Sequence, residues 1–127
     1  MNGVTGRMGT NQHLMRSIVA IREQGGLRTE DGDMILPDPI LDGRNPDKLN
    51  ALAERSGITQ TTTDVDSAIA DAHNVIYFDA QTTQRRAEAV RKAVAAGKHV
   101  YCEKPTAMTS TDALALYHEA EAAGVRH

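Results

Sequence analysis

Cysteine is nearly absent from this chain. Cys102 alone among 127 residues leaves no internal disulfide to form, so the fold must rest on its apolar core, and a reducing, cytoplasmic setting is expected. Aromatic residues are also scarce. Phe78 and three tyrosines, with no tryptophan, offer no platform on which bases could stack. There is no basic excess either: the net charge is −3 and the lysines and arginines are scattered, which argues against nucleic acid or an anionic membrane as main partner. No apolar run is long enough to span a bilayer, and the first residues lack the charged-then-apolar layout of a secretion signal. The five histidines show no metal-ligand spacing, so no metal site is expected, and no G-x-S-x-G elbow marks a serine nucleophile.

What the chain does have is glycine at telling places. Gly3, Gly6 and Gly9 in "MNGVTGRMG" are spaced G-x-x-G-x-x-G and run into "GTNQHLMRSIVAIREQ", where Leu14, Ile18 and Ile21 share one face of a helix at the ordinary α-helical period. A glycine turn opening a helix is a phosphate cradle: the first glycine permits the turn, the second lets backbone approach a pyrophosphate, and the third lets helix pack closely on strand. An ordinary loop is the competing reading.

Downstream, Gly25-Gly26 ends the helix, and Asp31-Gly32 between two short extendable arms reads as a hairpin turn. A short strand from about Ile40 to Asp42 leads to a helix capped by Asn45, begun by Pro46 and stopped by Gly57, with Leu49, Leu52 and Ala53 inward. After a threonine-rich step, Asp64 can cap a short helix carrying Val65, Ala68 and Ile69. "NVIYFDA" reads as a parallel strand covered on both faces. A helix from about Gln84 to Ala96 follows, with Ala87, Val90 and Val94 inward and Arg85, Arg86, Arg91 and Lys92 as a solvent-facing basic stripe. "HVYCEKP" is the next strand, and Thr109 or Ser110 caps a last helix with Leu114, Tyr117 and Ala120 inward, before a final "GVRH" that enters a further strand. Strand and helix alternate at βαβ spacing, which means an α/β, doubly wound parallel sheet of Rossmann type in one domain, 1–127.

The end of the second strand bears on the cofactor. An acid there accepts hydrogen bonds from an adenosine ribose 2′-hydroxyl, whereas a small residue followed by arginine suits a 2′-phosphate. "LDGRNP" places Gly43 and Arg44 in the second pattern and favours NADP, while Asp42 keeps NAD open.

At "GKHVYCEKP", residues 97–105, the sequence closely resembles the G-K-H-V-x-x-E-K-P signature of the Gfo/Idh/MocA oxidoreductases, and the likeness extends over nearly the whole chain. That family joins an N-terminal Rossmann domain to a C-terminal α/β substrate domain. The resemblance implies a hydride transfer between a nicotinamide dinucleotide and a sugar, polyol or related hydroxy compound. It implies that Lys104 meets the reacting oxygen, that Glu103 bonds the nicotinamide ribose, and that Pro105 sets the loop through a cis bond. It further implies a substrate bound through the other domain and a homo-oligomeric assembly. Where relatives commonly read T-P-x-x-x-H, this chain has Gln81-Thr82-Thr83-Gln84-Arg85-Arg86, leaving Thr82 and Thr83 as cofactor-binding candidates. The stretch from Gly25 to Pro39 is also longer than usual in that family. The dihydrodipicolinate reductases share the turn G-x-x-G-R-M-G, which makes Arg7 and Met8 candidates beside Gly3, Gly6 and Gly9; they lack the E-K-P signature.

Only Met1 and Asn2 precede the glycine turn, whereas a central first strand is expected there in the order 3-2-1-4-5-6. The expectation is therefore a partial cofactor domain without its substrate domain, inactive by itself. A non-catalytic NADP(H)-binding module or a truncated product are the alternatives.

Overall fold

A computed structural model describes residues 1–127. The chain is α/β with short, largely parallel strand pairs. It divides into two compact units: Val4–Thr63, and Met1–Gly3 together with Asp64–His127.

The unit Val4–Thr63 opens with a helix of unexpected pitch. Gly9–Val19 is a π-helix (π1), entered through the α-helical Arg7 and Met8 and continued as α-helix by Ala20–Glu23 (α1). The buried residues of π1 are Gly9, Leu14 and Val19, five apart, the spacing that an i→i+5 ladder stacks on one face. Ile18 and Ile21, placed inward by α-helical spacing, are therefore only half-buried. The hairpin forms as expected: β1 (Leu27–Arg28) pairs antiparallel with β2 (Met34–Ile35), and Gly32 takes φ 93° in its turn. β3 (Leu41–Asp42) pairs in parallel with β4 (Thr61–Thr62), a strand inside the threonine run that had read only as a connection. Between them, α2 (Pro46–Ser56) has the expected punctuation. Asn45 Oδ1 accepts from the Lys48 amide at 2.9 Å, and Gly57 closes the helix at φ 69°. Val4, Leu14, Leu41, Leu49, Leu52 and Ile58 are buried here.

In the other unit, α3 (Val65–Ala70) is capped by Asp64 and buries Ile69. β5 (Ile76–Asp79) and β6 (His99–Cys102) pair in parallel, Ile76 opposite His99 and Asp79 opposite Cys102. α4 (Thr83–Ala95) and α5 (Ser110–Ala123) pack with them around Tyr77, Val90, Ala93, Val94, Val100, Leu116 and Ala120. The N-terminus enters as a single bridge: Asn2 lies parallel to Asp79, donating to Phe78 O at 2.8 Å and accepting from Ala80 N at 2.9 Å. Past α5, Arg126 O accepts from Val100 N at 2.8 Å, so the last residues run beside β6.

Three expectations need correction here. β5 is not covered on both faces, for Ile76 is 61% exposed. α5 turns Leu116 and Ala120 inward, with Ala113 packed against the same core, and leaves Leu114 and Tyr117 outside. That helix is apolar on more than one side, so its pattern alone did not fix which side packs. Arg86 does not belong to a solvent stripe: it is 2% exposed.

Candidate functional site

The glycine turn is built from backbone bonds. In the unit Val4–Thr63, Val4 N donates to Asp42 O at 3.3 Å, Thr10 N to Gly6 O at 2.8 Å, and Thr10 Oγ1 to Val4 O at 2.8 Å. These fix the chain as it enters the helix and leave Gly6 exposed just before it and Arg7 and Met8 exposed in its first turn, with Gly9 buried behind them. The first amides of a helix have no intrahelical acceptor, so the turn presents N–H groups and the positive end of the helix dipole together.

The end of β3 packs against this turn. Gly43 is buried, and a Cβ there would lie 3.1 Å from the Thr5 methyl and 3.3 Å from Leu49 Cδ2. Arg44, the next residue, is exposed, whereas Asp42 is buried. Of the two residue patterns weighed for the adenosine ribose, the guanidinium faces solvent and the carboxylate lies inside.

The remaining candidates belong to the other unit. Gly3 has φ 75°, and a Cβ there would stand 2.7 Å from Gln81 N and 2.9 Å from Ala80 C. Only glycine allows that approach. β5 and β6 are parallel and in register, so the segments leaving their C-terminal ends run side by side. After β5 come Ala80 to Thr83, where Thr82 is extended at the start of α4 and exposed, and Thr83 is half-buried in its first turn. After β6 come Glu103, half-buried, and Lys104, exposed. Glu103 N donates to Asp79 O at 3.0 Å, Lys104 N donates to Glu103 Oε2 at 3.1 Å, and the Lys104–Pro105 bond is cis, as the resemblance implied. Strand C-termini are where open α/β sheets hold ligands.

Beneath these segments lies a polar group that sequence reading missed. Asp79 is fully buried; its Oδ1 accepts from Arg86 Nε at 2.9 Å and from Gln81 N at 3.1 Å. Its Oδ2 accepts from Tyr77 Oη at 2.9 Å and from Gln81 Nε2 at 2.8 Å. Tyr77 Oη in turn accepts from Asn2 Nδ2 at 2.8 Å. Arg86 also donates through Nη2 to Gln81 O at 2.8 Å and through Nη1 to Pro105 O. The signal that could have found it is an acid at the end of a strand and an arginine in the first turn of the following helix. Cys102 lies close by. Burial pushes its thiol up, with Arg86 opposing and Asp79 and Glu103 adding to the rise, so it is a poor nucleophile.

Residues 39–127 match the Gfo/Idh/MocA oxidoreductase family, NAD-binding Rossmann fold. The chain is 48% identical over 125 residues to a D-xylose dehydrogenase of Paenarthrobacter nicotinovorans, covering 98% of this chain and 32% of that protein. It is 31% identical over 101 residues to a 1,5-anhydro-D-fructose reductase of Ensifer adhaerens, covering 80% of this chain and 29% of the relative. Among solved structures, a levoglucosan dehydrogenase in complex with NADH and levoglucosan superposes with a TM-score of 0.79 at 27% identity, over 97% of this chain and 32% of that one. The chain thus spans about a third of the length of the curated relatives it matches.

Proposed function

The chain belongs to the Gfo/Idh/MocA oxidoreductase family, and from that premise we propose that it is the cofactor-binding part of an enzyme moving a hydride between a nicotinamide dinucleotide and a sugar, polyol or related hydroxy compound. The observation that carries the reading is the end of β6. An exposed lysine, Lys104, stands there between two neighbours with fixed backbone, beside the loop that follows β5.

The fit to a dinucleotide rests on glycine geometry. Gly3 and Gly43 sit where a Cβ would collide with backbone or crowd Thr5, and Gly6 to Gly9 offer amides at a helix start. Gly3, Gly6, Arg7, Met8 and Gly9 would hold the pyrophosphate, Gly43 and Arg44 the adenosine ribose, and Thr82, Thr83 and Glu103 the nicotinamide half. The bound dinucleotide supplies the hydride acceptor. Lys104 answers the other half of the chemistry, since a carbinol that loses hydride must also lose its hydroxyl proton as it becomes a carbonyl. As an ammonium, Lys104 orients that oxygen and stabilises its developing negative charge; as a neutral amine it takes the proton. Between the two dinucleotides, the exposed Arg44 after a glycine and the inward Asp42 favour NADP.

The test is direct. The protein is titrated with NADH and NADPH by calorimetry, and the intact protein is then given a panel of sugars, polyols and their keto forms while nicotinamide absorbance is followed. Saturable binding and turnover of a sugar are expected. An intact protein that binds neither dinucleotide, or binds them and oxidises or reduces nothing in the panel, would falsify the reading.

A further inference from the structure

Arg86 is a costly residue to bury. A guanidinium and a carboxylate taken out of water together do no better for stability than two well-packed apolar side chains. Here Arg86 is 2% exposed and Asp79 0%, so what the pair supplies beyond packing has to lie in what it holds. Arg86 makes three directed contacts, and only Nε is spent on Asp79. Nη2 holds the carbonyl of Gln81, just after β5, and Nη1 holds the carbonyl of Pro105, just after Lys104. A planar guanidinium can serve three acceptors in fixed directions; an ammonium at the same place cannot reproduce that fork.

Lys104 is thereby gripped from both sides. Ahead of it, the Glu103 amide is bonded to the backbone carbonyl of Asp79; behind it, Pro105 O is bonded to the side chain that Asp79 pairs with. One residue, Asp79, thus anchors both grips, and its second carboxylate oxygen is held in turn by Tyr77 and Gln81.

We infer that Arg86, carried by Asp79, is a positioning residue that sets the backbone of Lys104 for the reaction. The inference rests on the role given to Lys104 above. Misplacing a reacting group by about 1 Å can cost on the order of a hundredfold in rate, and freeing Pro105 O permits movement on that scale.

The experiment compares wild type, Arg86→Lys, Lys104→Met and the double variant in the intact protein, using NADH, NADPH and a sugar that the wild type turns over. Arg86→Lys keeps a cation beside Asp79 and gives up the fork. It should lower kcat about 10- to 100-fold, hold dinucleotide affinity within about threefold, and speed amide exchange at Glu103 and Lys104 at least about tenfold. On the Lys104→Met background it should add no further loss, because Arg86 acts through Lys104. The neutral pair Asp79→Asn with Arg86→Gln leaves no buried charge and is read in the same way if Arg86→Lys does not fold. Unchanged kcat and exchange, a loss shared equally with dinucleotide affinity, or full additivity with Lys104→Met would each overturn the proposal. A wild type without hydride transfer overturns the functional reading instead, and amide exchange then decides the grip alone: unchanged protection of Glu103 in Arg86→Lys overturns it.

Discussion

Gly3 and Gln81 are in such close approach that a single added carbon on the glycine would lie 2.7 Å from the glutamine's backbone nitrogen. With φ at 75°, Gly3→Ala adds backbone strain of about 1–3 kcal/mol to that collision. The variant should unfold at lower urea than wild type and lose dinucleotide affinity, as urea titration and calorimetry would show. A stability within error of wild type would mean that the segment after β5 yields freely.

Lys104 is exposed, so replacing it disturbs chemistry more than folding. Lys104→Met should reduce kcat for sugar oxidation by about 10²- to 10⁴-fold, the range for a lost acid–base or charge-stabilising group. Its thermal midpoint should stay with that of wild type. Retained turnover would remove Lys104 from the reaction.

Arg44→Ala separates the two dinucleotides. A charge-assisted bond of about 1.5–3 kcal/mol to a 2′-phosphate is worth roughly 10- to 100-fold in affinity. NADPH binding should weaken by that factor and NADH binding by less than about twofold. Equal losses for both would place Arg44 elsewhere in recognition.

The acid side of the stability curve has identifiable contributors. The Asp64 carboxyl is held below its ordinary value first by the Ser67 hydroxyl, at 2.6 Å, and then by the Ser67 amide. Asp71 is lowered by the His73 amide and then by the His73 side chain. Groups with depressed folded values stabilise above the ordinary aspartate value, about 3.9, and lose that contribution as pH falls through the folded value. Urea midpoints should therefore drop below about pH 4, with a shallower drop in Asp64→Asn. An unchanged acid slope in that variant would acquit the cap.

Burial raises the Cys102 thiol, so at neutral pH little thiolate is present. Iodoacetamide should modify the folded protein more slowly than the same protein in urea, with a rate that climbs as pH rises past the range of a free cysteine. Mass spectrometry of timed aliquots reads this directly, and equal rates in both states would contradict it.

Much of the fold was legible because local rules and tertiary packing agree. Asn45, Pro46 and Gly57 bound α2 in sequence and in space, and Gly97 and Gly124 take φ 72° and 66° where stops were expected. The tight place of Gly3 follows from close approach to Gln81, whereas the E-K-P segment was legible only through its family resemblance, whose implied cis bond before Pro105 is present. What was missed follows from long-range choices. π1 packs on a five-residue period that a search at 3.6 residues per turn turns away from Val19. Thr61–Thr62 is a strand because Leu41–Asp42 pairs with it, not because threonines alternate. Arg86 looked like one more cation on a helix face, and its burial depends on Asp79, a residue of the preceding strand.

The Asp79–Arg86 pair also constrains how such a sequence can change over time. Losing either partner alone strands a buried charge at a cost of about 3–5 kcal/mol, a large share of a small domain's stability. A single change of Arg86 to histidine leaves Asp79 without its guanidinium. Changes at Asp79 and Arg86 are therefore coupled: a neutral replacement at one position is tolerated best when the other is neutralised with it.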